Sequence, residues 1–407
     1  MKKKNRPLYL QKLINFKDKE AIKVITGLRR CGKSSILEVF RDYLADNGVK
    51  DKNIIYMNFE TLANRSKTYM QVYDEIIKKA KLTQDRVYIF LDEIQQIEKW
   101  ELTVNSLRVD IDCDIYITGS NAYLLSSQLS TYLSGRYIEI KILPLSFKEF
   151  VEFNNFAPTM QKDEIFALYL KFGGMPILTE YDFKNEEIVN SVLEGIFTSV
   201  IMEDVIKQAP VRDVVTLDKI INFLADNIGN STSINNIKNV LLSGRNADER
   251  KITSATIDNY IKLLENAFIF YPAFRYDIKG KEYLKTQGKY YMVDLGLRNQ
   301  RLGFRNTDRG YILENVVYFE LLRRGYKVSV GKTDEKEIDF IAIKSDEKLY
   351  IQVTESLSNE STRQRELAAL RSVKDHFEKI VLTTDVLFTG TSEDGIKIVN
   401  LTDWLLE

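Results

Sequence analysis

The sequence predicts an α/β protein, and three features of the residue pattern support this fold class. The β-branched run from Ile22 to Thr26 leads through a glycine-rich turn into a helical pattern at residues 34–44. The apolar run from Val87 to Leu91 is typical of a buried strand and ends in two acidic residues. After Arg309 the patterns follow the order α-β-β-β-α-β. Strands that alternate with helices predict a parallel sheet covered by helices.

Length and composition predict several globular domains without a global charge. The chain has 407 residues, which corresponds to two to four domains at ~100–200 residues each. Hydrophobic residues make up 44% of the chain, enough to give each domain a core. The 58 Lys and Arg residues balance the 58 Asp and Glu residues, so any surface that binds nucleic acid would have to be local.

The few cysteines and the lone histidine exclude several kinds of site. Cys31 and Cys113 provide no disulfide framework, which favours a reducing, cytoplasmic environment. His376 is the only histidine, which excludes a Cys/His zinc site and a histidine-based catalytic triad. The basic N-terminus has no apolar stretch behind it, so we expect no signal peptide. We also expect no membrane span, because no window of ~18 consecutive apolar residues occurs.

The run from Gly27 to Ser34 fits the phosphate-binding pattern G-x-x-x-x-G-K-[ST]. Between a strand and a helix, the backbone N–H groups of such a turn point at a phosphate. Lys33 would reach the β- and γ-phosphate oxygens of ATP, and the Ser34 hydroxyl would hold Mg²⁺. The alternative is a chance match in a structural turn. The candidate nucleotide-binding residues are Gly27, Arg29, Arg30, Cys31, Gly32, Lys33, Ser34 and Ser35.

Asp92 and Glu93 follow the apolar strand that ends at Leu91. Open α/β sheets bind ligands at the C-terminal ends of their strands, so Asp92 would lie near Ser34 and hold Mg²⁺, directly or through water. Glu93 would act as the general base that polarises the attacking water. The alternative is a strand that merely ends in a solvated acidic turn.

Further polar residues are candidates for the same site. Ser120 or Asn121, after the predicted strand at residues 114–118, would position the hydrolytic water, or both would cap the helix that starts near residue 122. Arg136 precedes another strand and would stabilise the transferring phosphoryl group, often across a subunit boundary, or would be a surface arginine. Arg29 and Arg30 would bind the γ-phosphate or pair with Asp92 or Glu93 in an empty site.

Four motifs carry a family resemblance: I-K-V-I-T-G-L-R-R-C-G-K-S-S-I-L, F-L-D-E-I-Q, I-T-G-S-N-A-Y-L-L-S and S-G-R-Y-I-E-I-K-I-L-P-L-S-F-K-E-F. With them the chain resembles a prokaryotic family of AAA+-superfamily ATP-binding proteins that carry a C-terminal domain of unknown function. It is also similar to archaeal ATPases and to signal-transduction ATPases with numerous domains. The resemblance implies an AAA+-like P-loop NTPase that uses ATP and Mg²⁺. It assigns the nucleotide and magnesium chemistry to Lys33, Ser34, Asp92 and Glu93. It also makes Asn121 the sensor, which positions the water, and Arg136 the arginine finger, which stabilises the transferring phosphoryl group.

We expect four segments along the chain: a P-loop ATPase core at 1–145, a helical lid or plain connector at 146–206, a winged-helix-like domain at 207–290, and a nuclease-like domain at 291–407. The lid is broken at Phe172 to Pro176, because two glycines followed by Met-Pro end a helix. Lids of this kind commonly respond to nucleotide.

The winged-helix prediction rests on three helical patterns, at 216–227, 233–241 and 254–266, and on a hairpin of strands at 268–276 and 282–286. The third helix would enter the DNA major groove. Its exposed face offers Asp258, Asn259 and Glu265 with only Lys262, which is a poor footprint for DNA. The alternative is a module that packs against protein.

The last segment resembles the PD-(D/E)xK nuclease fold, in which a helix Glu, a strand Asp and an E-x-K motif hold Mg²⁺. Glu314 and Asp339 match that pattern, but Gln352 and Thr354 stand at the two positions of the third motif. Gln352 brings no charge, and Thr354 cannot supply the cation that supports phosphoryl transfer. Lys336 or Lys348 could substitute only if the fold brings them close. We therefore expect an altered and inactive site, or a fold retained for interaction.

These features lead us to expect a cytoplasmic, Mg²⁺-dependent ATPase that uses ATP as a conformational switch. One alternative is a nucleotide-gated protein that binds or cuts DNA in defence or DNA processing. Another is a signalling scaffold that binds ATP without hydrolysing it. The expected partners are ATP, further copies of the chain, an unidentified protein, and DNA through the winged-helix or nuclease-like domain, but no membrane.

Overall fold

The computed structural model describes residues 4–122, 135–208, 211–243, 252–278, 280, 282–305, 308–333, 336–391 and 394–407. The chain folds into two compact units. The N-terminal unit comprises the residues up to Pro144 together with Asn266–Phe268, and the C-terminal unit comprises Leu145–Glu265 and Ile269–Glu407. No helix of the described residues is long and apolar enough to cross a membrane.

The N-terminal unit is built on a five-stranded sheet in which every pair of neighbouring strands is parallel. The prediction of an α/β fold with a parallel sheet is therefore confirmed. The strand order is β2-β3-β4-β1-β5, so that β1 and β3 lie inside the sheet and are buried along their whole length. The strands are β1 (Ile22–Thr26), β2 (Ile54–Asn58), β3 (Val87–Asp92), β4 (Cys113–Gly119) and β5 (Tyr137–Lys141).

Helices flank these strands and close the core of the N-terminal unit. The fourth helix begins at a capping box, in which Thr68 accepts a hydrogen bond from the backbone N–H of Gln71 and the Gln71 side chain accepts one from Thr68. Its buried face contributes Val72 and Ile76 to the core. The helices are α1 (Pro7–Phe16), α2 (Lys33–Asp46), α3 (Leu62–Arg65), α4 (Tyr69–Ala80) and α5 (Trp100–Asp110).

Helices make up the first part of the C-terminal unit. The helical patterns predicted at 216–227, 233–241 and 254–266 appear as α9 (Val214–Asp226), α10 (Ile234–Leu242) and α11 (Ser254–Asn266), and α12 (Leu295–Leu302) was not predicted. The helices are α6 (Phe147–Phe153), α7 (Lys162–Phe172), α8 (Glu186–Val200), which continues as a π-helical turn (Ile201–Ile206), α9 (Val214–Asp226), α10 (Ile234–Leu242), α11 (Ser254–Asn266) and α12 (Leu295–Leu302).

An eight-stranded mixed sheet, in the order β12-β13-β11-β10-β9-β8-β6-β7, forms the rest of the C-terminal unit. Strands β8, β9 and β10 pair antiparallel, and β11 pairs parallel to β10 because α14 crosses over between them. The elements are β6 (Phe270–Asp277), β7 (Glu282–Met292), α13 (Arg309–Arg323), β8 (Lys327–Lys332), β9 (Glu337–Lys344), β10 (Glu347–Thr354), α14 (Glu360–Arg371), β11 (Glu378–Thr383), β12 (Gly390–Thr391), β13 (Lys397–Asn400) and α15 (Leu401–Leu406).

The two strands of the predicted hairpin do not form a separate wing but are part of a larger sheet. Strand β6 pairs parallel with β8 through Arg275 and Val330, so both hairpin strands belong to the eight-stranded sheet. The predicted boundary between residues 290 and 291 accordingly falls inside β7. The physical reason is that a hairpin is a local signal, whereas the partner of its outer edge lies about fifty residues further along the chain. Residues 279 and 281 of the predicted turn lie outside the described residues.

The glycine pair at the predicted helix break is a packing joint within the C-terminal unit. Gly173 ends α7 at φ 73°, and the next amide, of Gly174, donates a hydrogen bond to Asp294 Oδ2 at 2.7 Å. Asp294 also caps α12 by accepting the Leu297 N–H at 3.1 Å. A Cβ atom on Gly296 would lie 1.9 Å from the carbonyl oxygen of Phe172. The joint therefore leaves no room for side chains at its glycines.

Candidate nucleotide site

The loop between β1 and α2 needs glycine at two positions for two different reasons. Gly27 has φ 142°, and a Cβ atom there would lie 2.2 Å from the carbonyl oxygen of Ile142. Gly32 has φ 102° and precedes the first residue of α2, with open space around it. Both φ values lie in the region that favours glycine. Helix α2 begins at Lys33, directly after this loop, and the first backbone N–H groups of a helix form a binding site for anions.

Lys33 lies inside this loop and is almost completely buried. Its ammonium donates hydrogen bonds to the carbonyl oxygens of Gly27 and Leu28 at 3.1 and 3.2 Å. The Glu93 carboxylate lies 3.5 Å from the same nitrogen. The ammonium is thus fixed at the centre of the loop, where a buried cation attracts phosphate strongly.

Asp92 ends β3 and accepts hydrogen bonds on both of its carboxylate oxygens. Oδ1 accepts from the hydroxyls of Ser34 at 3.1 Å and Thr118 at 2.5 Å. Oδ2 accepts from the Tyr56 hydroxyl at 2.8 Å and the Asn58 amide at 3.2 Å. Burial, together with the charge of Asp92, raises the pKa of Tyr56. The four donors fix the orientation of this fully buried carboxylate.

Strand register explains why these side chains meet. Asn58 pairs directly with Asp92 across β2 and β3, and Leu91 pairs with Ile117 in β4. In a parallel sheet the C-terminal ends of neighbouring strands lie at one edge. Thr118, one residue beyond Ile117, is therefore brought beside Asp92.

Glu93 adopts a left-handed backbone conformation, with φ 56° and ψ 46°. This conformation is uncommon for a residue other than glycine and is found at functional sites. Its N–H donates to the Thr118 hydroxyl at 2.8 Å, and the Gln95 amide donates to its Oε2 at 2.5 Å. Its Oε1 lies 3.5 Å from the Lys33 ammonium.

The arrangement fits ATP with Mg²⁺. The Ser34 hydroxyl and the Asp92 carboxylate are oxygen ligands of the kind that Mg²⁺ prefers, and they lie in contact. Within the described ranges no group of three acidic, cysteine or histidine residues is spaced to hold a metal ion. Mg²⁺ in nucleotide sites is commonly bound through one or two protein ligands and the phosphates of the nucleotide, and Ser34 and Asp92 could serve as two such ligands.

The other residues predicted for this site differ in their burial and in the groups that they contact. Ser120 and Asn121 both follow β4 and are buried. Arg29 lies 3.5 Å from Glu60, an acidic residue that the sequence did not suggest as its partner. Burial raises the pKa of the Cys31 thiol, which lies 3.4 Å from the carbonyl oxygen of Ile142. The exposed predicted residues of the loop are Arg30 and Ser35.

Arg136 is not brought to the loop. Its carbonyl oxygen accepts a hydrogen bond from the Ile22 N–H at 2.9 Å, and the next residue, Tyr137, pairs with Ile22. Both residues stand where β5 and β1 begin. The five residues of β1, about 13 Å of extended strand, separate this edge from Gly27. Arg136 therefore lies at the edge of the sheet opposite the phosphate-binding loop, and residues 129–134 before it lie outside the described residues.

Sequence reasoning missed Tyr56, Asn58, Thr118 and Gln95 as partners of the two acidic residues. Thr118 and Asn58 stand at the C-terminal ends of predicted strands, so the rule that placed Asp92 at this edge could have identified them. Arg6 was also missed. It is buried, and its guanidinium donates to the carbonyl oxygens of Cys31, Leu143 and Pro144, which ties α1 to the back of the loop.

A second polar cluster lies within the C-terminal unit, and we call it the Lys289 cluster: Lys289, Glu314, Glu337 and Asp339. The Lys289 ammonium lies 3.1 Å from Glu314 Oε2, 3.0 Å from Glu337 Oε1 and 3.6 Å from Asp339 Oδ1. Burial raises the pKa of Glu314 and of Asp339, and the nearby ammonium opposes the rise in both. Burial would lower the pKa of Lys289, but the three carboxylates raise it above its ordinary value.

Gln352 and Thr354, at the two positions of the third nuclease motif, form hydrogen bonds within the protein. The Gln352 side-chain oxygen accepts the Asp339 N–H at 2.7 Å, and its amide donates to Glu366 Oε2 at 2.5 Å. The Thr354 hydroxyl lies 3.3 Å from the carbonyl oxygen of Ser356. The lysines suggested as substitutes lie elsewhere: Lys336 donates to the carbonyl oxygen of Ala368, and Lys348 lies 3.6 Å from Asp375. The lysine that approaches Glu314 and Asp339 is Lys289, on a strand outside the predicted motif.

Comparison with known proteins agrees with the geometry of the N-terminal unit. Residues 19–151 match the family described as "AAA domain", and residues 163–308 match "Domain of unknown function (DUF8612)". The chain is similar in fold to the Walker-type ATPase PABY2304 of Pyrococcus abyssi, with a TM-score of 0.51 and 16% sequence identity. That similarity covers 73% of this chain and 95% of the archaeal one.

Two relatives extend over most of the sequence. An uncharacterized protein of Haemophilus influenzae is 46% identical over 406 residues, which are 99% of this chain and 98% of that protein. The uncharacterized protein MJ1544 of Methanocaldococcus jannaschii is 33% identical over 372 residues, or 87% of this chain and 79% of the relative. The chain thus belongs to the protein family of these two relatives, and its N-terminal part is an AAA domain.

Proposed function

We propose that this protein is a cytoplasmic ATPase that uses ATP binding and hydrolysis, with Mg²⁺, as a conformational switch. The observation that carries the proposal is the convergence of Lys33, Ser34, Asp92 and Glu93 at one edge of the parallel sheet. The AAA domain supports ATP binding in its own right. Hydrolysis is supported by Glu93, a buried carboxylate held beside the loop.

Each residue has a distinct role in this proposal. The N–H groups at the start of α2 and the Lys33 ammonium bind the phosphates. Ser34 and Asp92 hold Mg²⁺, which neutralises phosphate charge when it is bound with ATP. Glu93 accepts the proton of the attacking water, after its contact with Lys33 yields to the nucleotide. Asn121 or Ser120 positions that water, since both are buried just beyond β4.

Arg136 acts, in this proposal, from a neighbouring copy of the chain. Its place at the far edge of its own sheet argues against a role in its own loop. An arginine finger supplied in trans stabilises the charge of the transferring phosphoryl group. A homo-oligomer is therefore the assembly that the proposal implies.

Magnesium-dependent ATP hydrolysis by wild type, Lys33→Ala and Glu93→Gln tests the proposal. We expect Lys33→Ala to lose nucleotide binding and turnover, because it loses the cation that binds the phosphates. Glu93→Gln should keep nucleotide and lose ~10²–10⁴-fold in turnover, because an amide cannot accept the proton. The controls are Lys52→Ala and Glu98→Gln, which change exposed residues of the same unit.

Two results would contradict parts of the proposal. Equal turnover in wild type and Lys33→Ala would rule out this loop as the site of hydrolysis. Tight binding of ATP with negligible turnover by the wild type would instead identify a signalling scaffold that uses ATP only to hold a conformation.

A second proposal concerns the C-terminal unit, which we infer to be a coupled, nuclease-like module without nuclease activity. The observation that favours a nuclease-like fold is the α-β-β-β-α-β order from α13 to β11, with Glu314 and Asp339 close together. The Gln352 and Thr354 positions argue against cleavage. The module would then transmit the nucleotide state to a protein or DNA partner. Plasmid nicking with Mg²⁺ or Mn²⁺ that disappears in Asp339→Ala would instead identify an active nuclease.

A further inference from the structure

We propose that the Lys289 ammonium takes the place of a divalent cation between Glu314 and Asp339, so that this cluster joins three elements of the C-terminal unit without a metal. The proposal deepens the inference of a silent nuclease-like module and rests on it. In this proposal Lys289 is an internal cation that compensates the charge of the carboxylates, so that no metal ion is required.

The first argument is the position of the ammonium. Lys289 extends from β7, Glu314 from α13, and Glu337 and Asp339 from β9, so one cation links three elements. The ammonium lies 3.0–3.6 Å from an oxygen of each of the three carboxylates. A cation at the centre of several carboxylates fills the role that a hard metal ion otherwise has in such a set.

The second argument is burial. The side chains of Lys289, Glu314 and Asp339 are 4%, 9% and 13% exposed, whereas Glu337, at the edge of the cluster, is 34% exposed and also lies 3.7 Å from Arg275. A buried carboxylate set is stable only when its charge is compensated, and Lys289 supplies that compensation from within the chain. The same burial leaves little access for a phosphodiester, which a nuclease site must admit.

The third argument is that neighbouring donors hold the carboxylates of the cluster in place. Asp339 Oδ2 accepts the Val353 N–H at 2.9 Å. The Gln352 amide donates to Glu366 and its oxygen accepts the Asp339 N–H, so it joins β10 to α14 and β9. The Tyr291 hydroxyl donates to Glu314 Oε2 at 3.3 Å. These donors hold the carboxylates around the ammonium, at the place where a cation is needed.

The test replaces the ammonium and asks whether a metal takes its place. Thermal unfolding and Mn²⁺ calorimetry are measured without nucleotide on wild type, Asp339→Asn, Lys289→Met and Lys289→Met/Asp339→Asn. The matched control is Lys348→Met, which removes another partly buried lysine of the same sheet. Because no nucleotide is present, the outcome does not depend on whether the protein hydrolyses ATP.

For the wild type, and likewise for Lys348→Met, we expect the unfolding midpoint in Mn²⁺ to equal the midpoint of the same protein in EDTA. Lys289→Met should unfold several degrees lower than wild type in EDTA, since Glu314 and Asp339 lose the cation between them, whereas Glu337 keeps Arg275 at 3.7 Å. Mn²⁺ should recover much of that loss and should bind with measurable heat. The Asp339→Asn change should abolish the recovery, because it removes one of the ligands.

Two outcomes would overturn the proposal. One is binding of Mn²⁺ to the wild type that Asp339→Asn removes, which would show that a metal and Lys289 share the cluster. The other is a folded Lys289→Met variant that gains no Mn²⁺ binding.

A measurement on the wild type decides the matter if Lys289→Met does not fold. Reductive methylation of lysines, followed by mass spectrometry of the peptides, should leave Lys289 protected equally with and without Mn²⁺. Methylation of Lys289 that increases with Mn²⁺ would mean that a metal displaces the ammonium, and would also refute the proposal.

Discussion

Asp294 is a buried carboxyl group whose pKa makes the stability of the C-terminal unit depend on pH. Burial raises its pKa from the ordinary 3.8 to about 6, against the lowering effect of the backbone N–H groups of Gly174 and Leu297. Between these two values the folded protein holds more protons than the unfolded chain. The stability that this group contributes is therefore fully present below pH 3.8 and is lost as the pH rises to about 6.

We expect Asp294→Asn to remove this contribution to the pH dependence. The free energy of unfolding of the wild type, relative to the variant, should decrease by on the order of 3 kcal/mol from about pH 4 to above pH 6. Urea unfolding at a series of pH values measures it. Asp46→Asn, an exposed position of α2, is the control and should follow the wild type. A difference between wild type and Asp294→Asn that stays constant with pH would exclude titration of this carboxyl.

Packing between neighbouring elements explains residue choices that the local sequence pattern does not explain. The sequence predicts a helix break at Phe172 to Pro176 from its glycines, but the reason for two adjacent glycines appears only in the packing. The backbone of Gly174 lies against Leu145, where a Cβ atom would come within 2.4 Å of a carbonyl oxygen. Helix α12 contributes Gly296 to the same joint. Glycine is needed here both to end a helix and to let two backbone segments pack closely. Only the end of the helix can be read from the local sequence pattern.

Alanine substitutions at glycine positions test this element-scale account. We expect Gly296→Ala to lower the free energy of unfolding by ~1–3 kcal/mol or more, because its Cβ would overlap the carbonyl oxygen of Phe172. Gly195→Ala is the matched control, since Gly195 lies inside α8 with open space around it. It should raise the free energy of unfolding by ~0.5–1 kcal/mol through helix propensity. Equal effects of the two substitutions in urea unfolding would refute the close packing of this joint.

The family match and the two compact units describe a protein in which an AAA domain precedes a second folded body. Arg136 belongs to the whole-molecule question, because it lies at the start of β5, away from its own loop, and the role proposed for it is in a neighbouring chain. An assembly that forms with ATP would place that edge of one sheet beside the loop of the next copy.

Mixing two inactive variants tests whether Arg136 acts in trans. We expect Arg136→Ala to bind ATP as the wild type does and to lose turnover, and Arg65→Ala, at another exposed arginine, to keep it. Mixed with Glu93→Gln, Arg136→Ala should regain part of the turnover, because some interfaces then join an intact Glu93 to an intact Arg136. The solution mass of the wild type should increase with ATP. A mass that stays that of the monomer, or full activity of Arg136→Ala, would rule out the finger.

The sequence by itself determined the N-terminal sheet and the core of its site. A glycine-rich turn after a β-branched strand, and Asp92-Glu93 after an apolar strand, are local patterns, and the C-terminal ends of parallel strands lie at one edge, so Lys33, Ser34 and Asp92 could be expected together in advance. Tertiary structure alone decided what depends on distant neighbours. Sheet register placed Arg136 at the wrong edge for its own loop, long-range pairing drew the predicted hairpin into the eight-stranded sheet, and that pairing carried Lys289 to Glu314 and Asp339. Each of these results depends on contacts between residues far apart in sequence, which no window of neighbouring residues contains.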